Sequence, residues 1–280
     1  MQILVAKCAG FCEGVERAYR IALEQSKPGT PVYVLGNLVH NAQVVEKLKN
    51  SGIKVVKKLV EIPAESNGTL LISAHGVSPQ IIEEAKALAL KVVDTTCSWV
   101  KKAQKLAHEL AHHGYFVVII GDEGHPEVKG LKGWAGPNSM VISSIEKAAD
   151  FKPHGKLGII SQTTQSEQNF EDIVKILKNK AKDIKIHKTI CGATSKRQNA
   201  AIETAKKVEL MLVIGDQRSA NTKRLTELCK KTGTETYQIQ TATELNAKWL
   251  TNKEKIGVTA GASTPDWVIK EVIDKINHEN

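Results

Sequence analysis

Three cysteines stand in matching surroundings: Cys12 in GFCEGVERA, Cys97 in DTTCSWVKKA and Cys191 in TICGATSKRQ. Each follows a short strand-like run and opens a helical pattern. They lie 85 and 94 residues apart, with 89 residues after the last. Twenty-eight residues beyond each comes His40, His125 or Ser219, just past an apolar run with a glycine at its end (VYVLGNLVH, FVVIIGDEGH, LMLVIGDQRS). A second set closes similar runs at looser offsets: His75 in GTLLISAH, Thr163 in KLGIISQT and Ser263 in KIGVTAGAS. Three copies of one unit of about 90 residues are the simplest account. The pattern predicts strand ends converging on one central point, each unit offering a thiol and two polar groups.

Three thiolates without a fourth at a matching position restrict the chemistry. A structural zinc site takes four ligands, with cysteine pairs close in sequence, and these three contain no such pair. A [4Fe–4S] cluster normally takes four thiolates. With three, one iron is left open to bind a substrate oxygen as a Lewis acid, adding electrophilic activation to electron transfer. A helix N-terminus beside each cysteine favours the negative charge this requires. The plainer reading, three unrelated buried cysteines, is opposed by their shared strand–Cys–helix context. Cys8 and Cys229 read as core or half-buried thiols.

The polar set suits a compact, multiply charged anion. His40, His75 and His125 can donate from imidazole nitrogens, and a bound diphosphate would draw further protons onto them. Ser219, Asn221 and Ser263 add neutral donors. His108, His112 and His113 lie on a helix face and read as ordinary surface or core residues. In Gly124-His125-Pro126-Glu127, a carboxyl group two residues from a phosphate ligand becomes a general acid if burial raises its pKa. Taken alone, that stretch reads as an exposed loop. No Gly-x-Gly-x-x-Gly follows a strand and no P-loop is present, so nucleotide cofactors have no support.

The elements that must position these residues alternate along the chain. Strands are predicted at 3–6, 32–35, 70–73, 92–94, 116–120, 157–160, 184–186, 210–214 and 256–259. Helical patterns cover 15–25, 100–113, 170–180, 222–231 and 266–277. Alternation of this kind predicts an α/β fold with mostly parallel sheets, whose functional loops leave the carboxyl ends of the strands. The expected domains are 13–96, 97–190, and 191–280 joined by the N-terminal strand region 1–12.

Composition narrows the function classes. The chain has 280 residues, 41% hydrophobic and 25% charged, which excludes a disordered or fibrous protein. No apolar run approaches the roughly 18 residues of a membrane helix, and MQILVAKCAGFC reads as a strand and glycine turn, not a secretory leader. Five scattered cysteines make no disulfide framework. The expectation is a cytoplasmic protein, where thiols stay reduced and available to metal. A net charge of +9 favours acidic partners, but 4% aromatic residues are too few for a base-stacking platform. Nucleic acid and membrane are therefore not expected partners, and a monomer is expected.

GFCEGV, VHN, SAHGVS, TTC, GHPEV, QTT, the Cys-Gly-Ala-Thr run at Cys191 and GVTAGASTPD occur in the order found in the LytB/IspH family. The chain resembles this family of 4-hydroxy-3-methylbut-2-enyl diphosphate reductases from Gly10 to about Asp266. The resemblance implies three similar small α/β domains in pseudo-threefold arrangement around a central, oxygen-sensitive [4Fe–4S] cluster, one per chain, held by Cys12, Cys97 and Cys191. It implies that His40, His75, His125, Ser219, Asn221 and Ser263 hold the substrate's diphosphate and that its allylic hydroxyl meets the open iron. Glu127 would supply protons, with Thr163 orienting or relaying them and contacting substrate. Two electrons and two protons would give isopentenyl and dimethylallyl diphosphate, the electrons coming from a ferredoxin or flavodoxin.

One departure is plain: the family commonly reads Ser-Ser-Asn where this chain has Ser219-Ala220-Asn221. Losing one hydroxyl donor to a charged group costs about 1.5–3 kcal/mol at most, which predicts weaker substrate binding and retained activity. Two other readings remain open at this level. A different three-cysteine cluster enzyme, such as a quinolinate-synthase-like dehydratase, would need no external reductant. A basic nucleic-acid-binding protein with structural zinc would show steeply salt-dependent affinity.

Overall fold

The computed structural model describes residues 1–26, 29–153 and 155–279; Asn280, the last residue of the expected third domain, lies outside them. In chain order the elements are β1 (Gln2–Val5), α1 (Glu13–Gln25), β2 (Val32–Leu35), α2 (Ala42–Asn50), β3 (Ile53–Val56), β4 (Thr69–Ile72), α3 (Pro79–Ala87), β5 (Lys91–Asp94) and α4 (Ser98–His112). There follow β6 (Phe116–Ile120), α5 (Pro126–Ala135), β7 (Ser139–Ile142), α6 (Ile145–Asp150), β8 (Leu157–Ser161), α7 (Glu167–Leu177), β9 (Ile184–Ile186) and α8 (Gly192–Ala205). The chain closes with β10 (Leu210–Ile214), α9 (Ala220–Lys231), β11 (Glu235–Ile239), β12 (Lys255–Ala260) and α10 (Asp266–His278).

Among the described residues these strands form three four-stranded sheets, every pairing parallel. The orders are β3-β2-β4-β5, β7-β6-β8-β9 and β11-β10-β12-β1. Each is the same second–first–third–fourth pattern, except that the fourth place of the last sheet is taken by the first strand of the chain. The α/β class and the parallel sheets expected from the sequence are what the structure has. All nine predicted strands are found; β3, β7 and β11 are additional. Each of the three is an edge strand beside the first central strand of its sheet. Their sequences, IKVV, SMVI and ETYQI, are partly solvated, whereas central strands such as β6, β8 and β10 read as near-continuous apolar runs.

By packing, the chain divides into two compact units, Met1–Val15 with His40–Val44 and Gly192–Asn280, and Glu16–Val39 with Val45–Cys191. In the first, Leu212, Ile214 and Val258 bury one sheet face against Val268, Val272 and Ile276 of α10. The opposite face sets Met211 and Val213 against Ala201, Ala205, Leu225 and Cys229 of α8 and α9. Cys229 is thus a core thiol, and burial pushes its pKa up to about 12. Cys8 departs from expectation: it is exposed, in the turn after β1 where it adopts φ 62°.

The second unit holds two sheets. Val118, Ile120 and Ile159 pack on Phe170, Ile173 and Leu177 of α7, while Val117, Ile119 and Ile160 pack on Ala103, Ala107 and Leu110 of α4 and Val128 and Leu131 of α5. Tyr33, Leu70 and Ile72 face Ala85 of α3. Helices α7 and α9 begin earlier than their apolar periodicity. Ser166 and Ser219 cap them by accepting from Asn169 N–H and Thr222 N–H, so their first turns are polar.

Candidate active site

Parallel strands deliver their carboxyl ends to one side of a sheet, and the residues proposed from the sequence to carry chemistry follow such ends. In the second unit, β4 leads to His75, β6 to His125 and Glu127, and β8 to Thr163. Edge strands β5 and β9 lead to Cys97 and Cys191. In the first unit, β1 leads to Cys12, β10 to Ser219 and β12 to Ser263.

Glu127 is not in an exposed loop. It occupies the first turn of α5 with 2% of its surface accessible. Thr163 meets it from the end of β8, donating its N–H to Oε1 at 2.6 Å and its hydroxyl to Oε2 at 2.8 Å. Burial raises the carboxyl pKa from 4.5 to about 7, outweighing the two hydrogen bonds from Thr163, which lower it. A carboxyl group poised near neutrality inside the fold is a general acid and, once discharged, a base.

His125 caps α5, its Nδ1 accepting from Glu127 N–H at 3.2 Å. With Nδ1 so engaged, the neutral ring carries its proton on Nε2, the tautomer that donates. The His75 ring stands edge-on to it, 5.4 Å between centroids. The loop carrying His75 is gripped by α4 and α5. Trp134 Nε1 and Gln104 Nε2 both donate to Val77 O, at 3.0 and 3.4 Å. The backbone of α5 approaches so closely at Gly133 that a Cβ there would lie 2.3 Å from Ser78 Cβ.

The first unit assembles a second polar group. Ser263 Oγ donates to His40 O at 2.8 Å. Burial lowers the His40 pKa, with Asp216 opposing and Arg218 and Lys223 reinforcing the shift. Asp216 itself is clamped by Arg218 through Nε at 3.0 Å and Nη2 at 2.7 Å. Ser219 opens α9, and Asn221 in its first turn is 4% accessible with neither amide atom hydrogen-bonded among the described residues. A buried amide left unpaired costs about 1–3 kcal/mol and sits where helix N–H groups attract anions. Its amide is therefore available to a ligand.

The three cysteines repeat one geometry. Cys12, Cys97 and Cys191 donate their N–H groups to Ala262 O at 3.2 Å, Ala74 O at 3.1 Å and Thr163 O at 2.9 Å. Each acceptor lies two residues past the end of the neighbouring central strand, β12, β4 or β8. Each thiol is partly accessible, none of the five cysteines (all described) forms a disulfide, and a helix begins at the next residue. Cys12 is further held by its own loop: Arg197 Nη2 donates to Gly10 O at 2.9 Å. Gly10 has φ 94°, and a Cβ there would fall 2.9 Å from Asp266 Oδ1. Each of the three is thus a partly accessible thiol with no disulfide partner, the kind of donor an iron–sulfur group takes.

That repeat also revises the sequence correspondence. His75 and Ser263 stand one residue past their acceptors Ala74 and Ala262, so their counterpart is Thr164, not Thr163. The QTT run hid this, because either threonine satisfies a loose offset. Thr164 Oγ1 accepts from Gln162 Nε2 at 3.0 Å.

The family model described as LytB protein matches residues 3–277. The 4-hydroxy-3-methylbut-2-enyl diphosphate reductase of Geobacter metallireducens is 46% identical over 276 residues, covering 99% of this chain and 97% of that one. The protein of the same name from Geotalea uraniireducens is 43% identical over 280 residues, 100% of this chain and 98% of that one. A structure of the E-1-hydroxy-2-methyl-but-2-enyl-4-diphosphate reductase from Plasmodium falciparum superposes with a TM-score of 0.93 at 31% identity, covering 97% of this chain and 86% of that one. A second, of a (E)-4-hydroxy-3-methyl-but-2-enyl diphosphate reductase described as the terminal enzyme of the non-mevalonate pathway, gives 0.71 at 37% identity over 99% and 100%. The chain belongs to the LytB protein family.

Proposed function

We propose that this chain is an oxidoreductase that removes the allylic hydroxyl of (E)-4-hydroxy-3-methylbut-2-enyl diphosphate, the last step of the methylerythritol phosphate (non-mevalonate) route to isoprenoids. The substrate gains two electrons and two protons and loses its oxygen as water, leaving isopentenyl or dimethylallyl diphosphate. The observation that carries this reading is the buried Glu127 carboxyl, held by Thr163 and shifted to about 7. It is a proton store that a hydroxyl leaving as water requires.

Cys12, Cys97 and Cys191 are the residues that would hold one [4Fe–4S] cluster. Bound there, it supplies electrons one at a time and, lacking a fourth protein ligand, Lewis acidity toward the leaving oxygen. Glu127 keeps a proton at the leaving oxygen, and the Thr163 hydroxyl, reversible as donor and acceptor, contacts substrate and orients that proton. The residues assigned to the diphosphate are His40, His75, His125, Ser219, Asn221 and Ser263. The Nε2 tautomer of His125 and the unpaired Asn221 amide support this.

The reading extends to three domains, 13–96, 97–190 and 191–280 with 1–12, supported by one four-stranded sheet in each. It extends to a cytoplasmic monomer fed by a ferredoxin or flavodoxin, for which a net charge of +9 suits an acidic donor. No described helix is long and apolar enough to cross a membrane.

The test is anaerobic turnover of the allylic diphosphate with a reduced viologen, beside iron and sulfide analysis. About four irons and four sulfides per chain, reduced in Cys12→Ser, Cys97→Ser and Cys191→Ser, are expected. Glu127→Gln should keep iron and substrate binding and lose nearly all turnover. Zinc in place of iron, or full activity of Glu127→Gln, would overturn the reading.

A further inference from the structure

The proposed reaction leaves one cluster of metal-binding side chains unused. Helix α4 carries His108-Glu109-Leu110-Ala111-His112, the H-E-x-x-H spacing that sets two imidazoles one helical turn apart on the same face. Both histidines are exposed. Their rings lie 6.4 Å apart between centroids and only 22° from parallel. His113 points elsewhere: its Nδ1 meets Glu109 O at 2.6 Å, and its ring stands at 83° to that of His112.

We propose that His108 and His112 form a two-imidazole chelate for a divalent first-row transition ion of the Ni2+, Cu2+ or Zn2+ class, for which imidazole is a preferred ligand. Nitrogen–metal distances are about 2.0–2.1 Å in such sites, and a small turn of two exposed side chains brings one nitrogen of each ring to a common point. Neither imidazole has to be pulled from the core. The helix backbone fixes the pair at the spacing a chelate needs, so little order is lost on binding.

The site is not that of a metallopeptidase, despite the motif. A zinc hydrolase needs a third protein ligand and a glutamate that acts as base on bound water. Among the described residues no group of three side chains placed to hold a metal includes this pair. The Glu109 carboxylate lies 3.6 Å from Lys105 Nζ. The remaining coordination positions face solvent. The structure also supplies a reporter: the Trp134 indole stands edge-on to His108 at 6.1 Å.

The experiment titrates Ni2+ into the anaerobically prepared full chain, following heat and tryptophan fluorescence together, in the parent and in His108→Ala, His112→Ala, His113→Ala and Trp134→Phe. Losing even an outer-shell partner weakens metal binding about 10–100-fold. Each of His108→Ala and His112→Ala should therefore weaken the event at least about tenfold, with His113→Ala unchanged. Trp134→Phe should remove the quenching and keep the heat. Unchanged binding in His108→Ala or His112→Ala, equal loss in His113→Ala, or quenching that survives Trp134→Phe would each overturn the assignment. The alanines sit on an exposed helix face and favour helix, so far-UV circular dichroism serves as the folding control. Any Ni2+ taken up by the three thiols is common to the parent and all four variants, so the difference between them reads the His108–His112 pair alone.

Discussion

Thr163 grips both oxygens of Glu127, its N–H on Oε1 at 2.6 Å and its hydroxyl on Oε2 at 2.8 Å. The two donors are not equivalent. An N–H can only donate, so Oε1 stays an acceptor whatever the protonation state. A hydroxyl can rotate, so Oε2 can carry the proton and give it to Thr163 Oγ1 without moving a heavy atom. The exchangeable proton therefore has a defined address.

The first prediction concerns stability against pH. The Glu127 pKa is raised in the folded chain from 4.5 to about 7, so folding favours the protonated form. This stability is fully present below about 4.5 and is lost as pH rises through about 7, amounting to about 3 kcal/mol. Glu127→Gln mimics the neutral state, its amide nitrogen donating to Thr163 Oγ1. Relative to the parent it should gain about 3 kcal/mol between pH 4 and 8. Denaturant unfolding at a series of pH values measures the difference, and parallel curves would refute it.

Thr163→Val separates the two donors. It keeps the N–H to Oε1 and removes the hydroxyl that lowers the Glu127 pKa, so the carboxyl should titrate above about 7. Carbon-13 NMR of the Glu127 carboxyl reads this directly. A downward shift would mean that the hydroxyl favours the protonated carboxyl and not the carboxylate.

Asn221 should behave unlike an ordinary buried residue. Its unpaired amide destabilises the empty fold, so Asn221→Ala should leave stability within about 1 kcal/mol of the parent. Its affinity for inorganic diphosphate should nevertheless fall, as thermal-shift titration can report. A large stability loss with unchanged diphosphate binding would remove Asn221 from the site.

Two glycines of α5, three residues apart, should respond with opposite signs. At Gly130 a Cβ would make ordinary contact with Val77 at 3.5 Å, so Gly130→Ala should stabilise by up to about 1 kcal/mol through helix propensity. At Gly133 the Cβ would lie 2.3 Å from Ser78 Cβ, and overpacking should cost about 1–3 kcal/mol. Because that contact backs the loop of His75, Gly133→Ala should also weaken diphosphate binding. Urea midpoints compare the pair.

The class of fold was legible because central parallel strands are apolar on both faces: FVVII, LGIIS and LMLVI have no other plausible home. The edge strands β3, β7 and β11 were not, since half their side chains face water and their alternation is too short to stand out. The burial of Glu127 was equally hidden. A glutamate after His-Pro reads as solvated, and only the packing of α5 beside β8 encloses it. The thiols were visible by context. That Thr164 rather than Thr163 matches His75 needed the backbone hydrogen bonds of Cys97 and Cys191.

The fourth strand of the last sheet pairs Gln2 with Lys255, 253 residues along the chain. On a ribosome, β1 emerges first and waits through the synthesis of both sheets of the second unit before β12 appears beside it. Closing a loop of that span costs more chain entropy than any other strand pairing in the three sheets. Cys12, only seven residues beyond β1, takes its place against Ala262 last. Cys97 and Cys191 depend on shorter-range partners, Ala74 and Thr163, and are set earlier. The chain thus withholds its third thiol until it is nearly complete, so a prematurely terminated product presents two and cannot offer the full donor set.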